Sequence, residues 1–170
     1  MRKLNLALLA GLTVLFATSC GTGDQPKDTA MKNTITIQEA NQRVEDYAER
    51  ARAAFPVSAE LRLQSQFKDS PCDDPTDNGP KGRLVASRGY QVMGPSVDQF
   101  PQQFEAIQAW WGQNGFAVST DSARGADRTV AAENKADGFT MSLRSNNVGQ
   151  LYLNTSSPCV WRNGTPESAN

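Results

Sequence analysis

The chain has 170 residues and 18.5 kDa, with 17 Lys+Arg against 18 Asp+Glu and no His. That length fits one ordinary domain, and the balanced charge lacks the basic footprint of a nucleic-acid binder. The absence of His excludes Ser-His-Asp and Cys-His catalysis together with His-ligated metals.

The chain opens with MRKLNLALLAGLTVLFATSC. Arg2 and Lys3 make a basic start, Leu6 to Ala17 is apolar and uncharged, and Ala17, Thr18 and Ser19 are small residues before Cys20. This is the layout of an export signal over residues 1–19. The stretch Leu4 to Ser19 is 16 residues, short of the roughly 20 that span a bilayer. The segment resembles a bacterial lipoprotein signal, whose lipobox ends in a small residue followed by Cys. Ala17 stands where that family most often has Leu. The resemblance implies that the Cys20 thiol receives a diacylglyceryl group and that Cys20 becomes the new N-terminus. Gly21 is not the Asp that favours inner-membrane retention in enterobacterial lipoproteins. With the C-terminal Ser157-Pro158-Cys159-Val160-Trp161, the chain resembles small lipoproteins of high-GC Gram-positive bacteria. This resemblance supplies no active site. It implies a cell-membrane location, lipid-anchored on the extracytoplasmic face, with the bilayer as first partner. Two acyl chains hold stably where one holds marginally.

Residues 20–34 then form the lipidated Cys and a tether. Gly21 to Asn33 is polar, with Gly and Pro and no apolar period, and thirteen such residues reach about 20 Å root-mean-square. Removing Arg2 and Lys3 from the 17 basic residues leaves 15 against 18 acidic ones. A mature chain of that sign is mildly repelled by anionic headgroups, so the lipid does the anchoring.

A single domain is expected over 35–161. Thr36 and Glu39 have capping-box spacing after the apolar Ile35. Ile37, Ala40, Val44, Tyr47, Ala51 and Ala54 share a helical face, and Pro56 ends the helix. Residues 59–68 alternate, with Ala59, Leu61, Leu63, Ser65 and Phe67 turned one way as a half-buried strand. Ser70 to Lys81 is a turn-rich loop, and Arg83 to Met93 a second strand. Asp98 is positioned to cap a second helix with Pro101 in its first turn. Phe100, Phe104, Ile107 and Trp111 form its apolar stripe. Four short strands follow, at Phe116–Ser122, Arg128–Glu133, Phe139–Arg144 and Leu151–Asn154, joined by short turns that favour antiparallel pairing. Residues 162–170 read as a disordered tail. The order α-β-β-α-β-β-β-β predicts an α+β fold: a two-layer sandwich, two helices packed on one face of a mostly antiparallel sheet.

Cys72 and Cys159 are an even pair outside the cytoplasm, which predicts a disulfide between them. They are not in a C-x-x-C motif, and no His completes a zinc site. Asp69, Asp73, Asp74 and Asp77 suit turns better than calcium, because Asn78 and Leu84 fall where an EF-hand needs Gly and Glu. Ser65 and Lys68 spell S-x-x-K, but in a strand their side chains point to opposite faces and the companion motifs are missing. Asp121, Asp127, Glu133 and Asp137 lie near strand ends as potential paired carboxylates. Trp110 precedes the core residue Trp111, about 100° away around the helix. It therefore sits either in a wide core face or at its border as a partner contact for a protein or a sugar.

These features predict a membrane-anchored extracytoplasmic lipoprotein acting as a non-catalytic binding or envelope-organising module, with an envelope protein or a glycan as partner. No motif asks for a cofactor or a metal. The alternatives are a carrier of a small hydrophobic ligand and a carboxylate-based envelope hydrolase.

Overall fold

Two reciprocal hydrogen bonds start the first helix. In this computed structural model, which describes residues 32–72 and 80–166, α1 runs Ile37–Ala51. The Thr36 N–H donates to the Glu39 carboxylate (2.7 Å), and the Glu39 N–H donates to Thr36 Oγ1 (3.1 Å). This is the expected capping box, and the bond from the Thr36 backbone holds the Glu39 carboxyl below its ordinary range. Ala40, Val44, Tyr47, Ala48 and Ala51 are buried along one stripe. The expected export signal, Cys20, most of the expected tether and Asp73, Asp74 and Asp77 lie outside the described residues.

The second helix begins differently from expectation. A 3₁₀ turn, Val97–Gln99, precedes α2 (Phe100–Gln113), and its capping box is made by Ser96 and Gln99. Asp98 lies in that first turn and is not the cap. The extra turn moves the start of the helical path two residues upstream, where the Ser96 N–H donates to Gln99 Oε1 (2.9 Å). Phe100, Gln103, Phe104, Ile107 and Trp111 are buried. Gly115, at φ 81°, carries the chain out of the helix in a conformation that few other residues adopt.

The strands are β1 (Glu60–Pro71), β2 (Leu84–Met93), β3 (Phe116–Arg124), β4 (Asp127–Asn134), β5 (Thr140–Ser145) and β6 (Leu151–Ser156). They form one antiparallel sheet in the order β1-β2-β6-β5-β4-β3. Both helices pack on the same face, so the expected two-layer α+β sandwich is the fold. Phe104, Ile107 and Trp111 of α2 meet Val130, Met141, Leu143 and Leu153 of the sheet in one apolar cluster.

β1 departs from simple alternation. Leu61 pairs with Val92 and Leu63 with Tyr90, on the helix side. A bulge between Leu63 and Ser65 then shifts the register, so that Ser65 pairs with Gly89 and Phe67 with Ser87 on the opposite side. A bulge adds one residue and reverses which face each later side chain occupies. Ser65 and Phe67 therefore do not share a face with Leu61 and Leu63. The strand is an edge, and Leu63 and Phe67 are exposed (49% and 54%) where the alternation predicts an apolar face turned to the core.

β2 and β6 join the two parts of the sheet, with Ser87–Gln91 paired to Tyr152–Ser156. Here the buried Arg88 is held by neutral acceptors. Nη1 and Nη2 each donate to Asn41 Oδ1 (3.2 Å), and Nη1 also donates to the Ser87 carbonyl (3.1 Å).

Beyond β6 the chain closes on itself. Val160 and Leu84 exchange backbone hydrogen bonds (2.8 Å each). Cys159 is disulfide-bonded to Cys72, with Cα atoms 5.7 Å apart. Trp161 Nε1 donates to the Lys32 carbonyl (3.2 Å), and the Trp161 N–H donates to Thr34 Oγ1 (2.9 Å). The Thr34 N–H donates to the Gly164 carbonyl (2.8 Å). Arg162 and Gly164, expected to lie in a loose tail, thus accept backbone hydrogen bonds from Ile37 and Thr34. Gly164, at φ 77°, makes this possible, because a Cβ there would stand 2.9 Å from the Thr34 carbonyl oxygen.

The disulfide closes a separation of 87 residues. Replacing Cys72 and Cys159 together by Ser is expected to lower unfolding stability by about 4 kcal/mol. Urea unfolding followed by circular dichroism reads this as a lower midpoint at nearly unchanged secondary structure.

Candidate functional site

The end of the sandwich away from the disulfide carries a cleft of about 200 Å³. Val97, Phe100, Pro101 and Phe104 form one wall, from the start of α2. The other wall comes from the β3–β4 turn at Gly125 and Ala126, from Arg128, and from Ser145 and Asn146 at the end of β5. Antiparallel order puts these turns at one end and Leu84, Cys72 and Val160 at the other. β2 has ten residues, so the two ends stand about 30 Å apart.

Arg128 shapes the cleft. Its guanidinium lies over the Phe104 ring, 4.7 Å from the centroid. Nε and Nη2 donate to the two carboxylate oxygens of Asp121 (3.1 and 2.9 Å). The hydrogen bond from Arg128 lowers the Asp121 pKa, and the same pair raises that of Arg128. Such bidentate, charge-assisted pairing fixes the planar head in one orientation. The Ser145 hydroxyl donates to the Ala126 carbonyl (2.8 Å) and accepts the Arg128 N–H (3.1 Å). Asn146 Oδ1 accepts from the Val148 and Gln150 N–H groups (3.2 and 2.9 Å). The polar groups of the rim are therefore committed to the fold, and what the cleft offers is apolar and aromatic surface. Nucleophilic catalysis needs an activating base beside the nucleophile, whereas the Ser145 hydroxyl is turned to backbone.

A second cluster lies under α1 at the opposite end. Tyr47 Oη donates to Asp137 Oδ2 (2.8 Å) and accepts from Asn134 Nδ2 (3.1 Å). Arg43 Nη1 reaches the same Asp137 oxygen (3.3 Å). The Tyr47 ring meets Phe116 edge-on at 5.1 Å. Burial, then the hydrogen bond and charge of Asp137, push the Tyr47 pKa up to about 12. This cluster ties α1 to the β4–β5 turn.

The carboxylates proposed from sequence do not converge. Asp121 faces Arg128, Glu133 pairs with Lys135 (3.3 Å) on the other side of the sheet, and Asp137 is held by Tyr47 and Arg43. Among the described residues, no three His, Cys, Asp or Glu side chains form a metal-sized group. No described helix is long and apolar enough to cross a membrane. Trp110 is partly buried at the border of the core, with its ring tilted against Phe116 at 6.2 Å, while Trp111 is fully buried. The cleft residues went unnoticed in the sequence because they come from four separate elements. The only local signal was Pro101 beside Phe100 and Phe104.

No known protein family matches the chain, and no curated protein matches it. Among solved structures, the crystal structure of LppA from Mycobacterium tuberculosis, described as a lipoprotein, is similar, with a TM-score of 0.45 and 17% sequence identity. The match covers 74% of this chain and 78% of that one.

The Tyr47 cluster sets a pH dependence. The folded state keeps the Tyr47 proton up to about pH 12, whereas an unfolded tyrosine loses it near pH 10. The stabilisation is complete below the unfolded value and disappears as pH rises through the folded one. The melting temperature of the wild type is expected to carry a loss between pH 10 and 12 that Tyr47→Phe lacks. Absorbance at 295 nm should show the highest-pH tyrosinate step missing from that variant.

Proposed function

We propose that the chain is a lipid-anchored, extracytoplasmic binding module that holds a partner and does not transform it. The observation that carries this reading is the distribution of its three cysteines. Cys72 and Cys159 are bonded to each other, as suits an oxidising compartment. The third, Cys20, stands at the end of a short apolar segment where a lipoprotein signal is cut.

The geometry supports the reading. The chain arrives from the tether at Lys32 and is held there by Trp161, beside the disulfide. The anchored end is then the disulfide end, and the cleft beside Phe100 and Arg128 opens at the other, away from the bilayer. An acylated Cys20 with a tether of about 20 Å leaves the domain close to the surface with its open end outward.

The cleft also favours a second reading, a carrier of a small hydrophobic ligand. Its volume of about 200 Å³ is below the usual range of ligand pockets, so it would admit a ring or short branched chain and not a whole lipid. A carboxylate hydrolase has less support, because Asp121, Glu133 and Asp137 are each engaged by a separate partner.

Metabolic labelling with an alkyne palmitate tests the anchor. Wild-type protein is expected to take up label and to lose its first 19 residues. Cys20→Ala is expected to stay unlabelled and keep its initiating segment. Wild-type protein that is unlabelled and still begins with methionine would falsify the proposal.

A further inference from the structure

The face of the sheet turned away from α1 and α2 is dense in hydroxyls. Cross-strand partners share a face, and the registers give three rows of six residues across the six strands. The middle row runs Ser65, Gly89, Asn154, Ser142, Ala131 and Thr120. A flanking row centres on Tyr152, between Gln91 and Arg144. The other begins at Phe67 and continues through Ser87, Ser156 and Thr140. Nine of these eighteen positions carry a hydroxyl, and only Arg62, Arg144 and Glu133 carry charge.

We propose that this open face is a docking surface for an uncharged polysaccharide, with Tyr152 as its central platform. This deepens the binding-module reading and depends on it only for where the polymer is met. The chemistry of the face selects the occupant. The core of a protein interface is apolar and aromatic, and here the exposed Phe67 stands alone at the edge. A membrane surface attracts basic or broadly apolar faces, and nucleic acid attracts rows of Lys and Arg. Each Ser or Thr hydroxyl both donates and accepts, which is the complement of a neutral polyol.

The arrangement is also preorganised. Tyr152 Oη donates to Gln150 Oε1 (2.8 Å), which fixes the tip of a half-buried ring that the register places on the open face. Aromatic rings present flat apolar area to sugar rings while their polar tip stays bonded. Gly89 lets two polar groups converge beside that platform. A Cβ at position 89 would lie 2.5 Å from Ser65 Oγ and 2.9 Å from Asn154 Oδ1. Asn154 Nδ2 in turn approaches Ser142 Oγ at 3.5 Å. Side chains held on a rigid sheet lose little freedom when a polymer settles on them.

Affinity electrophoresis of the intact, detergent-solubilised protein tests this. The native gels contain glycogen, barley β-glucan or yeast mannan, with polygalacturonate as an anionic comparison. At least one uncharged polymer is expected to retard the wild type, and polygalacturonate is not. Tyr152→Ala should weaken retardation about tenfold, the order of a lost aromatic anchor. Ser142→Lys adds bulk and charge to the open face without touching the core and should do the same. Arg50→Ala, on the helical side, should leave it unchanged. Retained melting temperature and disulfide show that each variant is folded. Retardation by no uncharged polymer, by polygalacturonate alone, or equally in Tyr152→Ala and Ser142→Lys overturns the proposal. Palmitate labelling of the same preparation reports separately on the anchor.

Discussion

Two parts of the chain, a β1–β2 hairpin and a β3–β6 meander, become one sheet at the seam between β2 and β6. The seam pairs residues more than 60 positions apart, Ser87–Gln91 with Tyr152–Ser156, so its ordering entropy must be met by contacts that form late. α1 provides them by lying across it. Asn41 accepts both Arg88 nitrogens on the β2 side, and the Val44 carbonyl accepts Thr155 Oγ1 (3.1 Å) on the β6 side. Hydrogen bonds to a charged group contribute about 1.5–3 kcal/mol, and a buried guanidinium left without acceptors would cost more than it gives. Arg88 therefore makes the position of α1 conditional on the seam, and the seam conditional on α1.

Covering one face has consequences for the other. Six strands with helices on one side leave a broad surface in water, and an apolar surface of that size would invite association. The sequence meets this with short polar side chains, whose two-residue period keeps Val130, Ala132, Met141 and Leu143 inside and Thr129, Ala131, Thr140 and Ser142 outside. The sheet edges meet a related hazard. β1 and β3 are both exposed edge strands, and both carry a bulge, at Leu63/Ser65 and at Val118/Thr120. A bulged, charged edge is a poor template for a further strand. What blunts aggregation on β1 also carries Phe67 onto the open face.

Elements whose cause is local were readable in the sequence. The Thr36–Glu39 box, Pro56, the Pro101 start and the turns before β4, β5 and β6 each rest on a few adjacent residues. The cysteine pair followed from compartment chemistry and needed no coordinates. The failures share a different origin. Alternation from Ala59 to Phe67 is perfect in composition, but the bulge is set by how β1 fits β2, and the pattern of one strand cannot contain it. Ser96 and Asp98 are both good caps, and the choice between them depends on a 3₁₀ turn that continues into α2. The segment after Trp161 is polar, which suggests looseness, yet the Arg162 and Gly164 carbonyls accept from the Ile37 and Thr34 N–H groups, about 125–130 positions earlier. The cleft was invisible for the same reason: Phe104 and Arg128 become neighbours only when the strand order is known.

In the proposed anchoring, the strap at Trp161 sets the direction. A flexible tether alone would let a globule turn freely above a bilayer. Here, however, the Lys32 carbonyl is fixed to the indole of Trp161, and Trp161 follows directly on the disulfide-bonded Cys159 and the Val160–Leu84 bridge. The described chain at Lys32 is therefore tied to the sheet through Trp161 and the Val160–Leu84 bridge. In the proposed anchoring, force applied at the lipid would reach β2, the strand at the seam, through the Val160–Leu84 bridge. In that arrangement the open face would run along strands that lead away from the anchored end.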